Sequence, residues 1–487
     1  MPETRPSRPP LRTAVTLFLF LNALYLLTST GRVHTMDEIS AVMQSESLTL
    51  HGTTAIPQAT GSGVFFGKVG RDGRPYSPYP PGQALMLVPW YGLGSVLAKL
   101  PGVPPQSRDL VVSMTATWSN ATFAALTAAL IFLLAHALGL STRDALITAL
   151  VIAVATPLFV YSGWLFSEPL TALCWVGAAL ALFGMSSSET ISARRAVVAG
   201  LLLGFALHLR ATNVIAAGVF LIATLIRDRR QALKPVAVAA LVIGAFGLLY
   251  LLRNQMLYGS PLDFGYPQYA EAGRETHSFH ISMASGLFAL LLSPGKSILL
   301  FCPVVILAVL GLRRLWLRDR GLALVCGLIP LLYLLFYSHY SGFEGGYSYG
   351  PRYLVPPLVL GCVALAVWLF DPPRWFRPAL IVAFIAGLFV QLVGLSTNIM
   401  EDMVANHYYD TRYFYRLGYS PINGQLRLIE KYLWGAPAPL GMGFDRWFLF
   451  AQKAGVPGWL IVVLAVPMLV VLLATGWSLS RTLRQCG

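Results

Sequence analysis

Charged side chains are scarce in this sequence: Asp, Glu, Lys and Arg make up 11% of it, against roughly 25% in soluble domains. With 56% hydrophobic types over 487 residues, no water-soluble fold can hide so much apolar surface, which excludes a soluble enzyme or binding module. Cysteine is nearly lacking as well. Cys174, Cys302, Cys326, Cys362 and Cys486 fall inside expected helices or in the extreme tail, without paired spacing, so neither a disulfide nor a cysteine metal site is expected. No internal repeat is visible of the kind that two matching transporter halves leave, and no soluble catalytic domain is set apart.

What the chain has instead is a succession of apolar runs of about twenty residues. In lipid a backbone must satisfy its own hydrogen bonds, so these runs predict helices. The expected fold class is all-α, a polytopic membrane protein of about twelve transmembrane helices. The spans fall near residues 11–30, 110–139, 143–163, 167–186, 195–210, 212–226, 235–255, 297–312, 321–341, 352–370, 378–398 and 457–479. Arg5, Arg8 and Arg12 precede the first run as in a signal peptide, but no small-x-small cleavage site follows before Gly31-Arg32, and we read it as a retained helix.

The formal net charge of +14 punctuates the ends of apolar segments and is not gathered on one face. It therefore reads as topology, with lipids and not nucleic acid as the partner. With the amino terminus inside, the cytoplasmic turns receive Arg143, Arg194-Arg195, the basic group at 227–230, Arg313, Arg314, Arg318, Arg320, Arg374, Arg377, Arg481 and Arg484. The opposite face receives three long connections, 31–109, 256–296 and 399–456. The expected organisation is a catalytic core over 1–398 that includes the 31–109 loop, a non-cytoplasmic loop region over 399–456, and a last helix with a cytoplasmic tail over 457–487. Function is sought in the loops.

Directly after the first helix stand two adjacent carboxylates, Asp37 and Glu38. Thr35 or Asp37 can cap a short helix running through Ser47, with acids suiting its first turn; alternatively one carboxylate is a general base for a hydroxyl nucleophile. Further on, the run from Gly73 through Tyr76 and Tyr79 to Pro80-Pro81-Gly82 enters an amphipathic stretch, Gln83 to Leu100, with Trp90 and Tyr91 suited to the membrane interface. Arg210, and Arg352 in Gly350-Pro351-Arg352-Tyr353, are costly in lipid and should face a cavity or a partner. Arg352 can fork onto phosphate oxygens, or else pair with Glu344 or anchor at the interface. Lys296, in Ser293-Pro294-Gly295-Lys296, is a candidate of the same kind, with snorkelling to headgroups as its alternative.

Taken in order, these residues carry a resemblance. Asp37-Glu38, Tyr79-Pro80-Pro81-Gly82, Phe166-Ser167-Glu168, Leu209-Arg210-Ala211-Thr212-Asn213, Tyr258-Gly259-Ser260-Pro261, Ser293-Pro294-Gly295-Lys296 and Gly350-Pro351-Arg352-Tyr353 resemble the GT-C superfamily of polyprenyl-phosphate-dependent glycosyltransferases. That group includes protein O-mannosyltransferases and the lipid A aminoarabinose transferase. The resemblance implies transfer of a sugar from a polyprenyl-phosphate donor to an acceptor hydroxyl on lipid, glycan or protein, at the non-cytoplasmic side, with inversion. A prokaryotic plasma membrane is the expected location. It implies Asp37 as catalytic base and Glu38 in support, with Arg352, Lys296 and Arg210, joined by Tyr76 and Tyr79, at the donor phosphate.

The chain departs from the aminoarabinose branch, which carries an arginine shortly after the acidic pair and a lysine just before the paired prolines. Here Ile39-Ser40-Ala41 and Tyr79 stand instead, which argues against the same donor geometry and leaves Arg74, Tyr76 or Lys68 to compensate. A divalent cation is the one cofactor left open. Asp37, Glu344, His51, His339 and His407 are available as ligands, but no His-x-x-x-His or acidic cluster fixes a site. His136 and His208, inside apolar segments, read as structural, and the Asn120 sequon as silent within a span. The 399–456 loop combines Glu401-Asp402 and His407-Tyr408-Tyr409-Asp410 with Tyr413, Tyr415, Tyr419, Tyr432 and Trp434, a set suited to sugar, isoprenoid or headgroup contact. Two other classes compete. A lipid-linked polysaccharide polymerase or ligase should depend on a late loop more than on an early acidic pair, and a secondary transporter should show paired halves.

Overall fold

The computed structural model describes residues 10–62, 67–185, 189–227, 231–265, 279, 281–405 and 414–485. Among them regular structure is almost wholly helical. The one sheet pairs β1 (Lys68–Val69) with β2 (Pro75–Tyr76), antiparallel, Lys68 opposite Tyr76.

The first half of the chain forms α1 (Leu11–Thr28), α2 (Met36–His51), α3 (Gly82–Leu97), α4 (Arg108–Ala137), α5 (Thr142–Ala155), α6 (Leu158–Tyr161), α7 (Glu168–Phe183), α8 (Ala193–Leu207), α9 (Asn213–Arg227) and α10 (Leu233–Tyr258). The second half forms α11 (Met283–Leu292), α12 (Ile298–Phe301), α13 (Val305–Arg318), α14 (Arg320–His339), α15 (Val355–Cys362), α16 (Phe376–Ser396), α17 (Ile399–Ala405), α18 (Pro421–Leu433), α19 (Trp447–Lys453) and α20 (Gly458–Gln485). Local chemistry starts several of them. Ser141, Ser192, Asp319 and Ser420 each accept from a first-turn amide of α5, α8, α14 and α18, as N-caps do.

Seven of the twelve expected spans are helices long and apolar enough to cross a membrane: those beginning near Leu11, Pro105, Leu233, Arg320, Arg352, Phe376 and Gly458. The other five are shorter, so a count of twelve crossings is not established. A 16-residue helix such as α7 is about 24 Å long, less than the roughly 30 Å hydrocarbon core. Two of the five break at proline. The span expected at 143–163 divides at Thr156-Pro157 into α5 and α6, and the one at 297–312 divides at Cys302-Pro303 into α12 and α13, because proline removes an amide donor and forces its predecessor out of the helical region.

The 30-residue α4 is central. It packs against α1, α3, α5 and α7, and its Ala121, Ala124, Ala125 and Ala128 are completely buried, small side chains letting helices approach closely. At the periphery, α20 packs mainly on α1, with lesser contact to α5 and α19, and presents Val462, Val463, Val466, Val470 and Leu473 outward, as α10 presents Leu241, Leu248 and Leu249. Such faces are stable against lipid. Cys174, Cys302, Cys326 and Cys362 are buried free thiols; Cys486 lies outside the described residues.

Candidate active site

The expected cap at the start of α2 is present. Thr35 is extended, and Glu38 Oε2 accepts from its amide at 3.0 Å and from the amide of His34, the carboxylate half of a capping box. Glu38 Oε1 reaches the amide of Leu165 at 2.7 Å. That carboxylate is completely buried, so it ties α2 to the turn before α7. Asn120 on α4 steadies the same turn by donating to the carbonyls of Trp164 and Phe166; the sequon asparagine is thus a buried strut.

Asp37, one residue earlier, points the other way and keeps 24% of its side chain exposed. Its Oδ1 accepts from the Tyr79 hydroxyl at 2.6 Å and its Oδ2 pairs with Arg352 Nη1 at 2.8 Å. Arg352 also donates from Nε to Glu168 Oε1 at 3.0 Å and from Nη1 to the Gly345 carbonyl at 3.1 Å. Its guanidinium lies 3.5 Å from the Phe166 ring centroid. Arg210 Nη2 approaches Glu168 Oε1 at 3.4 Å, with the guanidinium 4.4 Å above the Tyr353 ring. Two carboxylates and two guanidinium groups therefore alternate in sign, the arrangement that makes burial of charge tolerable.

Turn geometry brings these groups together. The amide of Gly82 donates to the His208 carbonyl at 2.9 Å, and a Cβ at position 82 would run into that carbonyl. The Tyr79-to-Gly82 turn is thereby pressed against the end of α8, which places Tyr79 and Arg210 on one wall. Gly350 has φ +70° with the Phe301 ring where a Cβ would stand, a backbone that only glycine adopts without strain, and it delivers Arg352 to the opposite wall.

Between the walls is a cleft of about 370 Å³ whose lining includes Asp37, Gln44, Tyr79, Gln83, Phe166, Ser167, Arg210 and Arg352. Of the residues singled out in the sequence, Asp37, Tyr79, Arg210 and Arg352 meet here. Others do not line this cleft. Lys296 is completely buried and donates to Ser348, at 2.8 Å to the carbonyl and 3.0 Å to Oγ. Tyr76 is held in the β2 hairpin, donating to Asp72 Oδ2 at 2.7 Å, and burial followed by that carboxylate pushes its phenol up to about 12. Lys68, also of that hairpin, pairs with Asp263, and Arg74 is exposed beside Asp72. Glu168 is the residue that sequence reasoning passed over, although it stands in the Phe166-Ser167-Glu168 motif. The carboxylates found on the Arg352 guanidinium are those of Asp37 and Glu168.

A second alternating set lies beneath the first. Arg32 pairs with Asp445, and the imidazole of His34 sits between Asp445 Oδ2 at 3.4 Å and Glu38 Oε2 at 3.6 Å, stacked on Trp164 at 4.5 Å. Burial lowers the His34 pKa, but Asp445 and Glu38 together outweigh it and leave it raised; burial raises that of Asp445, but Arg32 and His34 leave it lowered. The set ties the late loop to the chain leaving α1, and the amide of Trp447 adds a bond to the Ser29 carbonyl. Tyr432 of that loop donates to the Glu401 carboxylate, while Trp434 is 84% exposed. His407, Tyr408, Tyr409, Asp410 and Tyr413 lie outside the described residues.

For a metal, no group of three His, Cys, Asp or Glu side chains comes together among the described residues. Both Asp37 oxygens have donors, His339 Nδ1 faces the Ile281 carbonyl, and His51 is exposed at the end of α2.

A polytopic helical membrane protein with a charged cleft between its first loop and the starts of later helices defines a class, and the all-α expectation holds. Its architecture matches the crystal structure of ArnT from Cupriavidus metallidurans in the apo state, with TM-score 0.50 and 15% identity over 96% of this chain and 74% of that one. The structure of ArnT from the same organism bound to undecaprenyl phosphate aligns with TM-score 0.48 and 14% identity over 94% and 77% of the two chains. At such identity the likeness is one of fold. No protein-family model and no curated protein matches the sequence.

Proposed function

We propose that this chain is a membrane glycosyltransferase of the GT-C type. It moves a sugar from a polyprenyl-phosphate donor to an acceptor hydroxyl on the non-cytoplasmic side, with Asp37 as general base. The observation that carries the reading is the position of Asp37, a carboxylate partly open to the cleft, with Arg210 and Arg352 on its two walls. Glu38, wholly enclosed and spent on backbone amides, holds the first turn of α2 and leaves the chemistry to its neighbour.

In this reading the acceptor oxygen attacks the anomeric carbon opposite the phosphate while its proton passes to Asp37. The bond from that carbon to the phosphate oxygen breaks, so the configuration inverts and the electron pair leaves on polyprenyl phosphate. The charge developing there falls beside Arg352 and Arg210, cations placed before the reaction begins. The phosphate competes with Asp37 for Arg352, so donor binding loosens the ion pair and frees the base as the substrate arrives. Tyr79 keeps one Asp37 oxygen oriented.

The test is sugar transfer by purified protein from a panel of polyprenyl-phosphate hexoses and pentoses, with and without a chelator. The expected result is stoichiometric release of polyprenyl phosphate, lost in Asp37→Asn; the chelator arm asks whether a divalent cation adds to the arginines. Turnover that survives Asp37→Asn favours a polymerase or ligase working from the late loop and removes Asp37 as base.

A further inference from the structure

Next to the Asp37 cleft is a second, narrow chamber that the proposed mechanism leaves unused. It is walled by Trp175, Tyr333, Tyr337 and Tyr353 and closed by Glu168 and Arg210; Ser167 and Arg210 line both spaces, so the two adjoin. Its aromatic walls are fixed against one another. Trp175 meets Tyr333 edge to face at 5.2 Å, and Tyr337 stacks on Tyr353 at 4.5 Å. Tyr333 spends its hydroxyl on the Thr212 carbonyl at 2.9 Å.

Glu168 lines this chamber and not the Asp37 cleft. Its side chain is only 4% exposed. Oε1 takes both arginines, Arg352 Nε at 3.0 Å and Arg210 Nη2 at 3.4 Å, whereas Oε2 is buried with no hydrogen-bond partner. A buried carboxylate oxygen left unpaired costs free energy, and a hydrogen-bond donor brought in by a ligand removes that cost.

Building on the glycosyltransferase reading, we propose that this chamber receives the far edge of the transferred sugar and that Glu168 Oε2 selects it by accepting from a ring hydroxyl or amino group. The sugar lies with its anomeric carbon towards Asp37 and its phosphate beside Arg352 and Arg210. The space admits a group about the size of a hydroxyl or amine, so the ring itself and the isoprenoid chain stay on the cleft side. Glu168 sets the class: a neutral or amino sugar satisfies the carboxylate, and a uronic acid directed at it is repelled. Hydroxyl and amino donors share this chemistry, and the substrates tell them apart.

The experiment measures kcat/KM for each accepted polyprenyl-phosphate sugar and for its single-position deoxy, amino and uronic analogues, with wild type and Glu168→Gln. A hydrogen bond to a buried charged group supports discrimination of about a hundredfold. Wild type should therefore lose about that factor at one ring position and tolerate the other deoxy analogues, and Glu168→Gln should shrink the loss at that position to under about tenfold. If Glu168→Gln does not fold, Trp175→Phe, which enlarges the chamber without touching the arginine pairs, should admit a bulkier substituent at the same position. A flat deoxy profile in wild type, or a profile that Glu168→Gln leaves unchanged, overturns the assignment while leaving the transferase reading intact. Absence of transfer from every donor overturns both.

Discussion

Two charged clusters built on the same plan sit within a few residues of each other, and they differ in what surrounds them. In one, Asp37, Arg352, Glu168 and Arg210 alternate in sign around a cleft, and Asp37 and Arg210 keep 24% and 17% of their side chains exposed. In the other, Arg32, Asp445, His34 and Glu38 alternate in sign inside packed protein, with His34 and Asp445 at 1% and 3%. Pairing makes both tolerable. Exposure decides their use: a cluster that a substrate can enter can exchange a protein partner for a ligand, and a sealed one can only hold elements together. Glu38 and Asp37 divide along the same line although they are adjacent.

If that division is right, substitutions in the two clusters should fail in different ways. The largest effect is expected from Asp37→Asn, which removes the proposed general base while preserving shape. Transfer should fall by about 10²–10⁴-fold with the unfolding midpoint in detergent nearly unchanged, read by product assay and thermal scan on one preparation. Next, Asp445→Asn strips Arg32 and His34 of their shared carboxylate. Breaking a buried pair costs about 3–5 kcal/mol, so the midpoint should drop sharply at a fixed scan rate, while turnover per folded molecule holds.

Smaller is Tyr79→Phe, which deletes one hydrogen bond to a carboxylate. Such a bond contributes about 1.5–3 kcal/mol, so the midpoint should fall by no more than that amount implies while kcat drops by roughly tenfold or more; a change confined to KM would assign Tyr79 to binding. The smallest effect is on the pH dependence of stability. The raised pKa of His34 gives stability that is complete below its unfolded value and lost as pH climbs through the folded one. The lowered pKa of Asp445 gives stability present above its unfolded value and lost as pH falls through the folded one. The unfolding midpoint should therefore be highest between those limits, and His34→Gln should flatten the alkaline side and, by removing one of the groups that lower Asp445, weaken the acid side as well; an unchanged alkaline limb in that variant would mean the imidazole is not the cation of the sealed cluster.

The open cluster was more legible in the sequence than the sealed one. Arginines beside apolar segments and an acidic pair after a first helix are anomalies that lipid penalises, and Arg210, Arg352 and Asp37 stood out for that reason. Glu168 did not, because an acid in the first turn of a helix is already accounted for by the helix dipole. Asp445 was one acid among several in a long loop, and its partner Arg32 is 413 positions away, a pairing no local pattern encodes. Lys296 and Tyr76 have residue types that suit a phosphate site, and in the fold both side chains meet protein partners, Ser348 and Asp72, which no local pattern foretold. The helical class followed from hydropathy, while the breaks at Pro157 and Pro303 were hidden because apolar residues continue on both sides of each proline.

The central claim is that Asp37 acts on the substrate while its neighbours act on the fold. Its most direct test is a side-by-side measurement of polyprenyl-phosphate release and unfolding midpoint for wild type, Asp37→Asn and Asp445→Asn. The account predicts that Asp37→Asn keeps the midpoint and loses turnover, and that Asp445→Asn loses the midpoint and keeps turnover per folded molecule. An Asp37→Asn protein that unfolds early yet transfers sugar at the wild-type rate would make Asp37 a structural cap and contradict the claim.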